Sequence, residues 1–119
     1  LTELQTQFFP EDELSQLFLK HADSPILKDY VEMLSLPVAT EINLLDPNYV
    51  ILGGGVLQTP GFPMDTLFSC IHAHTRKPLP CETLRLIVSQ GTQESGVIGA
   101  GMYAFEQLEK LMESRSEFV

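Results

Sequence analysis

Apolar residues recur every three or four positions in several segments of this chain, which is the spacing of one helix face. A proline stands at the start of three of these segments, at Pro10, Pro25 and Pro63. A proline at the first helical position loses no hydrogen bond, so it is a favourable start. The spacing in residues 1–9 also permits a short helix. The predicted helices span residues 11–21, 25–45, 63–77 and 94–114.

The longest pattern predicts one helix that continues through a proline. It ends at Asp46 and Pro47, and the apolar register is unchanged across Pro37. Pro37 lacks an N–H and crowds the preceding turn, so we expect a kink near Leu36. The residues predicted to face inward are Leu27, Val31, Leu34, Val38, Ile42 and Leu45.

Two short segments have the pattern of strands. Tyr49–Leu52 is apolar at every position, which is typical of a strand covered on both faces in a parallel sheet. Residues 83–89 alternate and predict a strand with one less buried face. The helix between them implies a right-handed crossover and parallel pairing. The predicted fold is therefore α/β, with element order α-α-β-α-β-α.

Two strands are fewer than the three that an independently stable sheet normally needs. The chain also begins at Leu1 without an initiator methionine. We therefore expect these 119 residues to be a piece or a processed form of a larger protein.

The last helix carries an unusual density of glycine. Gly96, Gly99 and Gly101 would each cost about 1 kcal/mol relative to alanine in a helix interior. They predict a backbone pressed against a strand or a ligand. The residues expected to face inward are Ile98, Met102, Phe105, Leu108 and Met112.

Charge and composition exclude several classes of protein. The formal net charge of −9 argues against nucleic-acid binding, which needs clustered Lys and Arg. No apolar run approaches the roughly 20 residues of a membrane span. The two cysteines form no disulfide framework and fit the reducing cytosol.

The glycine triplet Gly53-Gly54-Gly55 follows the first predicted strand and is the main candidate site. Backbone without side chains can lie against a nucleoside or offer N–H groups to a phosphate. A tight turn without a ligand explains the triplet about equally well. The dinucleotide fingerprint fails, because its third glycine would fall at Gln58 and the second strand ends in Ser89 rather than an acid. No P-loop motif occurs.

The residues that most resemble metal ligands are not expected to bind a metal. Cys70, His72 and His74 are two positions apart on a predicted helix, so neighbours point in nearly opposite directions. Cys81 on the following loop does not complete a site. Asp46 is a possible catalytic acid, but a helix exit before proline is the favoured interpretation.

Three segments together resemble the ROK family of sugar kinases and repressors. They are residues 41–47 (EINLLDP), 50–56 (VILGGGV) and 95–101 (SGVIGAG). The resemblance spans about residues 24–112 and implies the carboxy-terminal part of an actin-like, ribonuclease-H-related fold. Residues 57–63 and 76–80 look most similar to bacterial D-allose kinases.

The resemblance implies that Gly53, Gly54 and Gly55 belong to an adenosine-binding motif, with residues 89–96 bordering the same pocket. It implies an ATP- and Mg²⁺-dependent kinase that forms a homodimer in the cytosol. The catalytic aspartate, the phosphate loops and a zinc motif lie upstream in family members, so no catalytic or metal residue is expected here. A sugar-sensing repressor and a free-standing interaction module are the alternatives.

Overall fold

The computed structural model describes residues 1–92 and 94–116. The chain divides after Ser89 into two compact units. The first unit contains four helices and two strands, and the second contains the last helix. In chain order they are α1 (Thr2–Phe8), a 3-10 turn (Leu14–Gln16) continuing into α2 (Leu17–Lys20), α3 (Pro25–Leu45), β1 (Tyr49–Leu52), α4 (Met64–His74), β2 (Arg85–Val88) and α5 (Ser95–Ser116).

The core of the first unit joins α2, α3 and α4 to the start of β2. Helices α3 and α4 pack along each other, and Phe18 meets Phe62 edge to face with ring centroids 5.1 Å apart. Burial of these apolar side chains supplies the main stabilisation of the unit. The buried cluster consists of Leu17, Phe18, Leu27, Val31, Ile42, Leu67, Ile71 and Leu84.

Helix α3 runs unbroken through Pro37, as the continuous apolar register predicted. Its inward face is only partly as expected, because Leu45 is 72% exposed. The buried stripe passes instead through Ser35 and Ala39. These are small residues that a pattern based on large apolar side chains does not count.

The helix predicted over residues 11–21 is wrong in its first half. Residues 10–13 form a turn in which the Asp12 N–H donates to the Phe9 carbonyl over 3.1 Å. The Asp12 carboxylate binds Lys20 Nζ at 2.8 Å and His21 Nε2 at 2.7 Å. Its charge therefore pairs with the end of α2 and does not serve a helix start.

This ion-pair cluster predicts a pH-dependent stability. The hydrogen bonds from Lys20 and then His21 hold the pKa of Asp12 below its ordinary value of 3.8. A folded pKa below the unfolded one stabilises the fold above the unfolded pKa, and this contribution is lost as pH falls through the folded pKa. Asp12→Asn should therefore lower Tm at pH 7, and the difference should shrink as the pH falls from about 4 through the lowered folded pKa of Asp12.

Thermal melts of both proteins across this pH range measure the effect. Asp23→Asn is the matched control, since Asp23 is exposed and should show no such trend. If the Tm difference between Asp12→Asn and the unsubstituted protein is as large at about pH 2 as at pH 7, the Asp12 ion pairs do not cause it.

Strands β1 and β2 are parallel, as predicted, with Val50 opposite Leu86 and Ile51 opposite Ile87. Val50, Leu52 and Leu86 pack against the core cluster. The expected burial of β1 on both faces is not found in the first unit, because Tyr49 is 68% and Ile51 is 70% exposed. The side chains of β1 point alternately to two faces of the sheet. The first unit covers only the face that carries Val50 and Leu52.

Helix α4 ends at His74, three residues earlier than predicted. Thr75 is already extended, with φ −87° and ψ 137°, and its side chain is buried and donates back to the Ile71 carbonyl over 2.7 Å. The Arg76 N–H donates to the Asn43 side chain instead of continuing the helix. Arg76 and Lys77 therefore lie on the loop after the helix.

Helix α5 is amphipathic in sequence but buries none of its residues. The inward positions predicted from Ile98 to Met112 are therefore exposed. In the part of the chain that the structure describes, no strand packs against the glycines, since a Cβ added at Gly96, Gly99 or Gly101 would meet no atom within 4 Å outside the local helix backbone, and the alternative of a ligand stays a prediction. No helix in the described ranges combines the length and the apolarity needed to cross a bilayer.

Candidate functional site

The carboxyl ends of the two parallel strands bring Gly53 and Ser89 together. The Ser89 N–H donates to the Leu52 carbonyl over 2.7 Å, continuing the ladder by one bond. A Cβ added to Gly53 would lie 3.2 Å from the Ser89 Cβ, which is closer than most side-chain contacts. Open α/β sheets bind their ligands at this edge. Of the 89–96 segment expected to border the pocket, Gln93 lies outside the described residues.

Gly54 and Gly55 form the open part of this edge. Gly54 has φ +125°, a conformation that side-chain-bearing residues rarely adopt. The Cβ positions of Gly54 and Gly55 have no atom within 4 Å, so both residues border open space. The backbone is therefore accessible to a flat ligand without moving any other group.

The loop that follows the triplet is held by short-range contacts. The Thr59 hydroxyl donates to the Gly55 carbonyl over 3.3 Å, and the Thr59 N–H donates to the Val56 carbonyl over 3.2 Å. At Gly61, φ is +77°, and an added Cβ would lie 2.8 Å from the side chain and 3.1 Å from the backbone nitrogen of Leu19. The Pro-Gly pair marked this turn in the sequence, but not its close approach to Leu19.

The residues around the glycine triplet are suited to contact with an uncharged part of a ligand. Residues 47–64 contain no Asp, Glu, Lys, Arg or His. This segment can therefore offer backbone groups, apolar contact and the uncharged polar side chains of Asn48, Gln58 and Thr59, but neither a carboxylate or imidazole base nor a cation for a phosphate. A nucleoside fits such a surface better than the charged end of a nucleotide does.

Asn43, near the end of α3, is hydrogen-bonded to the end of α4 and the loop that follows it. Its side-chain Nδ2 donates to the His74 carbonyl over 3.0 Å, and its Oδ1 accepts from the Arg76 N–H over 2.7 Å. The Arg76 guanidinium in turn donates to the Asn43 carbonyl over 2.8 Å. One carboxamide thus links α3, which leads into β1, to the loop that leads into β2. The sequence pattern alone does not indicate this role.

The other sequence candidates are structural or lie apart from this edge. Asp46 is the left-handed end of α3, with φ 52°, in agreement with the helix-exit interpretation. Within the described residues, no three His, Cys, Asp or Glu side chains are grouped closely enough to hold a metal ion. One pairing was not predicted: Cys81 Sγ lies 3.6 Å from His72 Nδ1.

The parallel strands, the crossover helix and the open glycine backbone at the end of β1 define an α/β architecture. Residues 9–107, which are 99 of the 119 positions, match the model of the ROK family. The chain belongs to the ROK family. Membership implies an actin-like, sugar-kinase type of fold, and the family includes both sugar kinases and repressors.

Proposed function

We propose that this chain is the carboxy-terminal, nucleotide-positioning segment of an ATP-dependent hexose kinase. In this proposal Gly53, Gly54 and Gly55 cradle the adenosine part of ATP. The observation that carries the proposal is the open, uncharged glycine backbone beside Ser89 at the carboxyl edge of a parallel sheet. Membership of a family that includes sugar kinases supports it.

The proposed role of residues 47–64 follows from their lack of charged side chains. Phosphoryl transfer depends on positioning and on neutralising phosphate charge, largely by Mg²⁺ and fixed donors. Residues 47–64 carry no carboxylate for Mg²⁺ and no base for the sugar hydroxyl. In this proposal residues 47–64 bind and orient the nucleoside, while the catalytic aspartate, phosphate loops and zinc motif belong to other parts of the protein.

D-Allose is the proposed sugar, because residues 57–63 and 76–80 look most similar to allose kinases. The proposal also includes a cytosolic homodimer, which sedimentation of the complete gene product would test. A repressor of the same family remains the second candidate, because family membership is equally compatible with it.

A kinase assay distinguishes these functions. The complete gene product, incubated with ATP, Mg²⁺ and D-allose, should release ADP in proportion to sugar phosphate, while the 119-residue chain alone should release none. Phosphorylation of D-allose by the isolated chain would contradict the proposal that the catalytic residues lie in other parts of the protein. A complete protein that binds sugar and operator DNA but transfers no phosphoryl group would identify the repressor instead.

A further inference from the structure

Cys81 and His72 form a thiol–imidazole pair on the crossover between the strands. His72 lies in the last turn of α4, and Cys81 lies on the loop that follows. The Sγ atom is 3.6 Å from His72 Nδ1 and 3.8 Å from the His72 carbonyl oxygen. Both side chains are half-buried, so the pair is ordered by the fold and is still reachable by a small reagent.

The loop holds Cys81 in this position through backbone hydrogen bonds. The Cys81 N–H donates to the Arg76 carbonyl over 3.2 Å, and the Leu84 N–H donates to the Pro80 carbonyl over 3.0 Å. Pro80 and Leu84 are both buried and anchor the loop on either side of the thiol. The approach of sulfur to imidazole is therefore imposed by the packing of its neighbours.

We propose that Cys81 is a reactive thiol and a site of modification by small neutral electrophiles and hydroperoxides, with His72 as its proton acceptor. A nucleophile within reach of an imidazole base is the arrangement that activates cysteine. The loop also carries the cations Arg76 and Lys77, and Glu82 is the acid next to the thiol in sequence. The inference is independent of the nucleotide proposal.

The chemistry with a hydroperoxide balances without another reactant. The thiol proton passes to His72 Nδ1, and the thiolate sulfur attacks one peroxide oxygen. An S–O bond forms and the O–O bond breaks, so sulfur is oxidised by two electrons to a sulfenic acid and the peroxide is reduced. The departing oxygen takes the proton from the imidazolium and leaves as water or an alcohol.

Cys70 is an internal comparison. It lies on α4 and lines a cavity of about 250 Å³ together with Phe18, Leu27 and Val31. Lys28 and Glu32 also line this cavity, but no histidine is among its described lining residues. The two half-buried thiols therefore differ in having, or lacking, an imidazole within hydrogen-bond reach.

The test is competitive labelling of the folded protein with iodoacetamide, followed by peptide mass spectrometry. Cys81 should be alkylated at least about tenfold faster than Cys70, because the imidazole assists removal of the thiol proton. His72→Asn should remove most of this advantage by slowing alkylation of Cys81. The matched change His74→Asn, which removes only an ion pair to Glu32, should leave the rate at Cys81 itself unchanged. Treatment with hydrogen peroxide and a sulfenic-acid trap should label Cys81 in preference to Cys70.

Labelling in urea tests whether the difference in alkylation rate depends on the fold. Unfolding should bring the ratio of the Cys81 and Cys70 rates close to one. If His72→Asn does not fold, the rate ratio in the native protein still decides. Equal rates in the folded protein, or an undiminished rate at Cys81 in a folded His72→Asn variant, would overturn the proposal.

Discussion

Alanine at Gly55 should leave the fold intact and weaken adenine-nucleotide binding by at least about tenfold in the complete gene product, corresponding to about 1.4 kcal/mol. Gly55 has no positive φ and no atom within 4 Å of its Cβ position, so the protein itself tolerates a methyl group there. A nucleoside lying on the bare backbone would occupy that same space. The substitution therefore separates binding from folding, and calorimetric titration with ADP measures the loss.

Two other glycines provide the controls. Gly54→Ala should weaken binding and also destabilise the fold, because φ +125° is strained for any residue with a Cβ. Gly101→Ala in α5, outside the 89–96 segment, should change binding little and stabilise the helix by up to about 1 kcal/mol. Unchanged ADP affinity in a folded Gly55→Ala protein would argue against a nucleoside at this position.

Alanine at Asn43 should lower the free energy of unfolding by about 1 kcal/mol, because the two hydrogen bonds that it removes are solvent-exposed. The substitution removes both side-chain hydrogen bonds, leaving the His74 carbonyl and the Arg76 N–H without those partners. Urea denaturation monitored by circular dichroism measures the change.

Asn48→Ala is the matched control, because Asn48 is exposed and precedes β1 in the same stretch of chain. Its effect should stay within about 0.5 kcal/mol. Similar losses at both positions would show that the carboxamide of Asn43 does not hold the two segments together. Since these segments lead into β1 and β2, Asn43→Ala should also weaken ADP binding, while Asn48→Ala should not.

The sheet was the most predictable part of the fold. Tyr49–Leu52 has the same limits in the structure as in the pattern, because a short apolar run between Pro47 and the glycines permits few other states. Parallel pairing followed from the helix between the strands. The glycine backbone at the end of β1 was likewise visible in the sequence, although its positive φ is confined to Gly54.

The features that sequence analysis missed depend on contacts between distant residues. Asp12 lies within the helix predicted over residues 11–21, but it pairs with Lys20 and His21, eight and nine positions away. The contacts of Asn43 span more than thirty positions. Neither separation leaves a periodic signal, and a polar side chain gives no indication of its partner until the chain is folded.

Apolar periodicity also failed to predict which surfaces are covered. The pattern in α5 correctly predicted a helix, but its apolar positions are exposed. The apolar run of β1 similarly overestimated burial of Tyr49 and Ile51. Periodicity identifies a face that is suited to packing, whereas burial also requires a packing partner.

The most direct test of the proposed nucleotide site is hydrogen exchange of the complete gene product, measured by mass spectrometry with and without saturating ADP. The account predicts slower amide exchange in the peptides that contain Gly53–Gly55 and Ser89, with little change around the Cys70 cavity. Protection elsewhere, with unchanged exchange at the glycine triplet, would contradict the assignment of this edge to the nucleoside.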